Sequence, residues 1–254
     1  MAVEIEQFMC RSDNFGVLVH DPASGETASI DAPEAGPILA ALERRGWSLT
    51  QILVTHHHPD HVDGLGALKA LGAEAIGPAA EAHRIAGLDR TVRGGDALNV
   101  CGERVEVIDT PGHTAGQIAY HMPGAARAFT ADALFSLGCG RVFEGTMEEM
   151  HASLQRLAAL PPETMVHCGH EYTASNARFA LSVDPDNAAL RARADEVGRL
   201  GAQGAPTLPV RLADELAQNP FLRPHDPAIR RALDMEDASD AAVFAALRRR
   251  KDAA

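Results

Sequence analysis

The sequence predicts an α/β body followed by an all-helical C-terminal part. Up to about residue 170, short apolar or alternating segments suited to strands alternate with segments of helical spacing. From Tyr172 onward only helical spacing remains, and histidines and aspartates recur directly after the strand segments of the first part. A chain of 254 residues with 46% hydrophobic content can bury a large core, and 23% charged residues argue against disorder.

The elements follow in order. "FGVLVHD" (15–21) and "TASID" (27–31) bracket the turn signal "PASGE" and predict a hairpin. "EAGPILAALERRG" (34–46) has helical spacing and stops at Gly46. "SLTQILVT" predicts a buried strand, followed by helices over 62–71 and around 79–86. "RVEVIDTPGHT" (104–114) runs as a strand into a Pro-Gly turn, "QIAYHM" and "RAFTAD" are further strands, and "ALFSLGCGRVFEGT" is glycine-rich and loop-like. "MEEMHASLQRLAAL" is an amphipathic helix with Thr146 as N-cap, and "ETMVHCGHEYT" is a strand delivering one more histidine loop. Segments 173–183, 187–201, 209–218 and 238–251 are helical in pattern, with no strand signal between them. Two domains are expected, 1–171 and 172–254.

Bulk properties exclude several classes. A net charge of −12 opposes a nucleic-acid partner, because phosphate contacts need a basic face. "MAVEIEQFMCRSDN" carries no basic start followed by an apolar block, and no apolar run approaches the ~18–20 residues that span a bilayer. The expectation is a cytoplasmic protein that engages no membrane. Cys10, Cys101, Cys139 and Cys168 lie far apart without a CxxC pair, so free thiols are expected.

The stretch "THHHPDHVDG" is the chemical centre of the sequence. In it His56, His58, Asp60 and His61 follow H-x-H-x-D-H. Residues two apart at a strand end share a face, so His56 and His58 can point together while His57 points away. Asp60 and His61, opening the next helix, can turn back to the same place. His113 ("DTPGHT"), Asp132 ("FTAD") and His170 ("VHCGHEY") each emerge from the end of another strand. Five imidazoles and two carboxylates exceed one tetrahedral ion but suit two divalent ions sharing a carboxylate. Turn capping alone would explain Asp60 but not all seven residues in this order. His20, His57, His83, His121, His151, His167 and His225 fall at no ligand position and are expected to be structural or superficial.

The order H-x-H-x-D-H, then His, Asp and His, resembles the metallo-β-lactamase superfamily. That resemblance implies an αββα sandwich in which His56, His58 and His113 bind one metal and Asp60, His61 and His170 the other. Asp132 and a hydroxide would bridge them, which makes Asp132 and Asp60 the catalytic carboxylates. Zinc is the first expectation for the two ions, with iron or manganese as alternatives.

"GCGRVFEGT", "CGHEYT", "NPFLR" and the terminal "RRRKD" together resemble the hydroxyacylglutathione hydrolases, or glyoxalase II, from about Asn14 to Asp252. The resemblance implies hydrolysis of S-(2-hydroxyacyl)glutathione, with S-lactoylglutathione foremost; a monomer is expected, though the oligomeric state is not legible in the residues. It places Arg141, Phe143, Tyr172, Arg248 and Lys251 against the glutathione moiety, with the three cations at its glycine carboxylate. The sequence departs from the family at Phe143, where a tyrosine is common, and at Ala131 and Ala133, where Gly and Thr are common. Pro59 and Asp63 are unusual within the first motif, and Asp63 could tune a contact behind the ligands. Cys139 and Cys168 are expected to pack rather than react. The alternatives are a persulfide dioxygenase-like enzyme with one iron and a non-catalytic metal- or glutathione-binding protein; the C-terminal motifs weigh against the first and the intact ligand set against the second.

Overall fold

A computed structural model describes residues 3–254; Met1 and Ala2, which begin the first expected domain and the N-terminal stretch read above, lie outside the described residues. The chain divides into two compact units, one of residues up to 109 plus 115–129 and one of 110–114 plus 130–254.

In the first unit, β1 (Glu4–Cys10), β2 (Asn14–His20), β3 (Glu26–Ile30), β4 (Ser48–Leu53), β5 (Glu74–Pro78) and β6 (Arg90–Val92) form one six-stranded sheet in sequence order. The β1–β2–β3 ribbon is antiparallel and the β3-to-β6 half is parallel. β7 (Ala97–Val100), β8 (Glu103–Asp109), β9 (Ile118–Met122) and β10 (Arg127–Ala131) form a separate antiparallel ladder. Inter-sheet bonds join the two: Tyr120 Oη donates to Val54 O at 2.8 Å, and Ile118 N to Thr55 O at 3.0 Å. Helices α1 (Ala35–Arg45), α2 (Pro59–Val62) and α3 (Leu65–Lys69) belong to this unit. Ile38 and Leu42 of α1 and Leu65 and Leu68 of α3 pack on Leu18, Ile52, Val54 and Ala75. Gly46 ends α1 in the left-handed region at φ 66°, where its N–H bonds back to Glu43 O, as the sequence predicts.

The second unit contains β11 (Leu134–Phe135) paired with β12 (Gly138–Cys139), and β13 (Met165–Cys168) paired with β14 (Val210–Arg211). The full order of the second sheet is β14-β13-β10-β9-β8-β7. Its helices are α4 (Met147–Ala158), α5 (Thr173–Val183), α6 (Ala188–Ala202), α7 (Leu212–Gln218), α8 (Pro227–Ala232) and α9 (Asp240–Asp252). Among the described residues no helix is long and apolar enough to cross a membrane.

Several elements differ from expectation. The helix expected over 62–71 breaks at Gly64, whose backbone lies against Ala32 and Ala35: its N–H donates to Ala32 O, and an added Cβ would stand 2.8 Å from Ala35 N. The helix expected around 79–86 is a single 3-10 turn over Ala79–Glu81. β5 was hidden by its Gly and Pro, which read as turn residues. β14 is a two-residue strand in the part expected to be wholly helical, formed because its neighbour β13 supplies the pairing. Thr146 is the expected cap, in a full capping box with Glu149.

A buried carboxylate organises the second unit. Glu215 of α7 accepts from Ser136 Oγ (2.8 Å), Leu137 N (2.8 Å) and Asn219 Nδ2 (2.9 Å). Asn219 Nδ2 also donates to Phe135 O and Gly138 O. Together they hold the β11–β12 turn, directly after Asp132. Burial raises the Glu215 pKa from the usual 4.5 to about 6, against the lowering effect of its donors.

Two predictions follow from these contacts. Thr146→Ala removes the cap of α4 and is expected to lower unfolding stability by about 1 kcal/mol in denaturant titration. For Glu215 the folded pKa lies above the unfolded one, so its contribution is full below about pH 4.5 and lost as pH rises through about 6. The stability of the wild type relative to Glu215→Gln should therefore fall by about 2 kcal/mol between pH 4 and pH 7; a difference independent of pH would contradict this.

Candidate metal centre

The predicted ligands divide between the two units, four in the first and three in the second. In the first, β4 ends at Leu53, and Thr55–His58 continue as extended chain into α2, whose N-terminal residue is Pro59. Proline is favourable at that position because its missing N–H would have no helical partner. His56 and His61 are buried and their ring centroids lie 4.1 Å apart; His56 Nε2 is 3.2 Å from His58 Nδ1. Asp60 Oδ2 lies 3.9 Å from His61 Nε2 and accepts from Asn14 Nδ2 at 3.1 Å.

Asp31, which the sequence reading did not single out, sets the orientation of this group. Its buried carboxylate accepts from Thr55 N (2.7 Å), Thr55 Oγ1 (2.8 Å) and His61 Nδ1 (2.7 Å). Because the Thr55 hydroxyl gives its proton to Asp31, its oxygen is left to accept from His56 Nδ1, 3.0 Å away. One carboxylate thereby fixes two imidazoles in the tautomer whose lone pair is on Nε2. Its signal was present: Asp31 also ends a strand segment. His57 turns away as expected, with its N–H and Nδ1 both on the buried Glu81 (2.8 and 2.7 Å), which also accepts from Gly116 N. Asp63 pairs with Arg11 in a half-exposed ion pair; the contact behind the ligands that the sequence suggested for it falls to Asp31 and Asn14.

In the second unit Asp132 is the focus. Its Oδ2 lies 3.3 Å from His113 Nε2 and 3.3 Å from His170 Nε2, and all three side chains are buried. His113 Nδ1 is held by Arg141 O at 2.8 Å, which again puts the lone pair on Nε2. Gly140 permits this packing, since a Cβ there would stand 1.9 Å from Asp132 O. Ala131 has φ 42°, in the left-handed region. That accounts for the glycine common in the family and gives the alanine a strain of about 1 kcal/mol.

The residues expected at glutathione all lie in the second unit. Phe143 is 60% exposed, edge-on to His113 at 5.3 Å, with Arg141 over its ring. Tyr172 stacks flat on His170 at 4.8 Å and is partly exposed. Lys251 lies over Phe179 with its amine held below the usual range, by partial burial first and by Arg248 second. Arg248 is only 4% exposed; its guanidinium donates to Cys139 O (2.7 Å) and forms an ion pair with Asp252 (3.0 Å). All four cysteines are free and buried.

The donor set fits divalent ions: imidazoles oriented through Nδ1 beside carboxylates. Residues 11–170 match the model of the metallo-beta-lactamase superfamily, and residues 171–254 match the model described as hydroxyacylglutathione hydrolase C-terminus. A protein of Mesorhizobium japonicum named hydroxyacylglutathione hydrolase is 60% identical over 99% of both chains. Among solved structures, ETHE1 from Myxococcus xanthus has a TM-score of 0.68 at 25% identity, covering 98% of this chain and 99% of that one. TTHA1623 in a di-iron-bound form has a TM-score of 0.57 at 26% identity over 66% of this chain and 91% of that one. With both family models and a relative of this identity along its length, the chain belongs to the hydroxyacylglutathione hydrolase family of the metallo-beta-lactamase superfamily.

Proposed function

We infer that this chain hydrolyses S-(2-hydroxyacyl)glutathione, S-lactoylglutathione above all, to a 2-hydroxy acid and glutathione. The observation that carries the reading is the convergence of His113 and His170 on one buried carboxylate oxygen of Asp132. The donor types present in each unit support it as well: His56, His58, Asp60 and His61 in the first, and His113, Asp132 and His170 in the second. On this reading His56, His58 and His113 would hold one divalent ion and Asp60, His61 and His170 a second, with Asp132 a donor available to them. Two such ions, when bound, would supply an ionised water near neutral pH and an electrophile for the thioester carbonyl. Zinc is the first choice, and the di-iron form of a structural relative keeps iron open to the same donors.

The chain's own residues do the rest. Asp31, Thr55 and the Arg141 carbonyl hold three imidazoles with Nε2 as the donor atom. Asn14 steadies Asp60 from behind. Exposed Phe143 and Tyr172 offer apolar surface to the thioester end, while Arg141 and Lys251 offer positive charge to the glycine carboxylate. The leaving thiol has an ordinary pKa near ~8.5, so it departs as thiolate without a strong proton donor. The division at 171/172 then separates a hydrolytic part from a helical part that binds glutathione. Reduced cysteines and the acidic surface agree with a cytoplasmic monomer that engages neither nucleic acid nor membrane.

Elemental analysis of the purified protein together with a thioester-hydrolysis assay tests this reading; two ions per chain and turnover of S-lactoylglutathione are expected. Asp132→Ala should lose most of the metal and nearly all turnover, and an active, metal-replete variant would refute the assignment. Asp31→Asn would present an N–H to His61 Nδ1 and reverse its tautomer. Chelator competition should then show metal affinity reduced about 10- to 100-fold, with an unchanged far-ultraviolet circular dichroism spectrum.

A further inference from the structure

Asp252 occupies a place that local helix chemistry does not explain. It is the last residue of α9, where a carboxylate faces the negative end of the helix dipole, and it follows Arg248 at i+4, the poorer order for such a pair. Yet one oxygen, Oδ1, accepts from Arg141 Nε (3.2 Å) and is ion-paired with Arg248 Nη2 at 3.0 Å. The three side chains grade from buried to exposed: Arg248 5%, Asp252 29%, Arg141 57%. Arg248 is anchored from behind on Cys139 O and over the Phe221 ring at 5.3 Å. Arg141 follows β12 by two residues, and its carbonyl already holds His113.

We propose that Asp252 is a positioning residue for substrate binding. Braced by the buried Arg248, it holds the exposed Arg141 guanidinium through Nε, so that the two terminal nitrogens are presented to the carboxylate of the glutathione moiety. Arg248 reaches Asp252 from the buried side while held on the β12 backbone. An unbraced arginine on an exposed loop would lose side-chain freedom on each binding event; here that ordering is made on folding. The proposal rests on the function inferred above.

The test is a double-mutant cycle read in KM and kcat with S-lactoylglutathione and with its glycine ethyl ester. Turnover by the wild type establishes the functional reading separately; its absence would remove the proposal together with that reading. Asp252→Asn should raise KM for the acid about three- to fivefold, the size set by a half-exposed ion pair, with kcat within twofold and KM for the ester unchanged. In an Arg141→Ala background the same substitution should change neither constant further. If Asp252 only neutralises Arg248, melting temperature falls and KM rises equally in both backgrounds, which overturns the proposal. A fall in KM would also overturn it, by showing that Asp252 competes with the substrate carboxylate.

Discussion

Neutral imidazole binds a metal through one nitrogen only when the other carries the proton, and much of this fold serves that requirement. His56, His61 and His113 all have an oxygen at Nδ1: a threonine hydroxyl, a carboxylate and a main-chain carbonyl. Each oxygen comes from a different part of the structure, the strand-to-helix loop after β4, the end of β3 and the loop after β12. Strand ends are useful here because the sheet fixes their backbone while their last residues are released from pairing. Asp31 shows the consequence most directly, since its own N–H bonds to Leu53 O while its side chain reaches Thr55 and His61. A local backbone arrangement and the orientation of two rings are thus the same interaction.

The sequence disclosed the α/β body, the helical C-terminal part and the strand-end positions of all seven predicted ligands, because periodicity and residue type carry that information. It disclosed less where tertiary contacts decide. The helix at 79–86 shrank to one turn, and its Glu81 is turned to His57 and Gly116. β14 exists only by pairing with β13. Asp31 and Glu81 went unnoticed because a single carboxylate has no spacing pattern; what marks them is burial, which only packing reveals.

The resemblance to a family named motifs whose physical work is partly different from ligand contact. "NPFLR" is a structural clamp: Asn219 caps its own turn and holds Phe135 O and Gly138 O, while Arg223 bonds Asp184 (2.5 Å) and Asp226. Phe221, inside the motif, lies between the rings of Phe179 and Phe244. Glu215 completes the clamp at the cost of burying a carboxylate. The turn so fixed comes directly after Asp132, so this C-terminal motif bears on the metal centre through backbone geometry.

The four sequestered thiols have a chemical consequence for a catalyst whose product is itself a thiol. Burial raises Cys139 to about 11 and Cys10 and Cys101 to about 12, and pushes Cys168 up as well. At neutral pH these thiols stay protonated, and all four cysteines are buried. Mixed disulfides with the liberated tripeptide are therefore disfavoured twice over, by ionisation and by access.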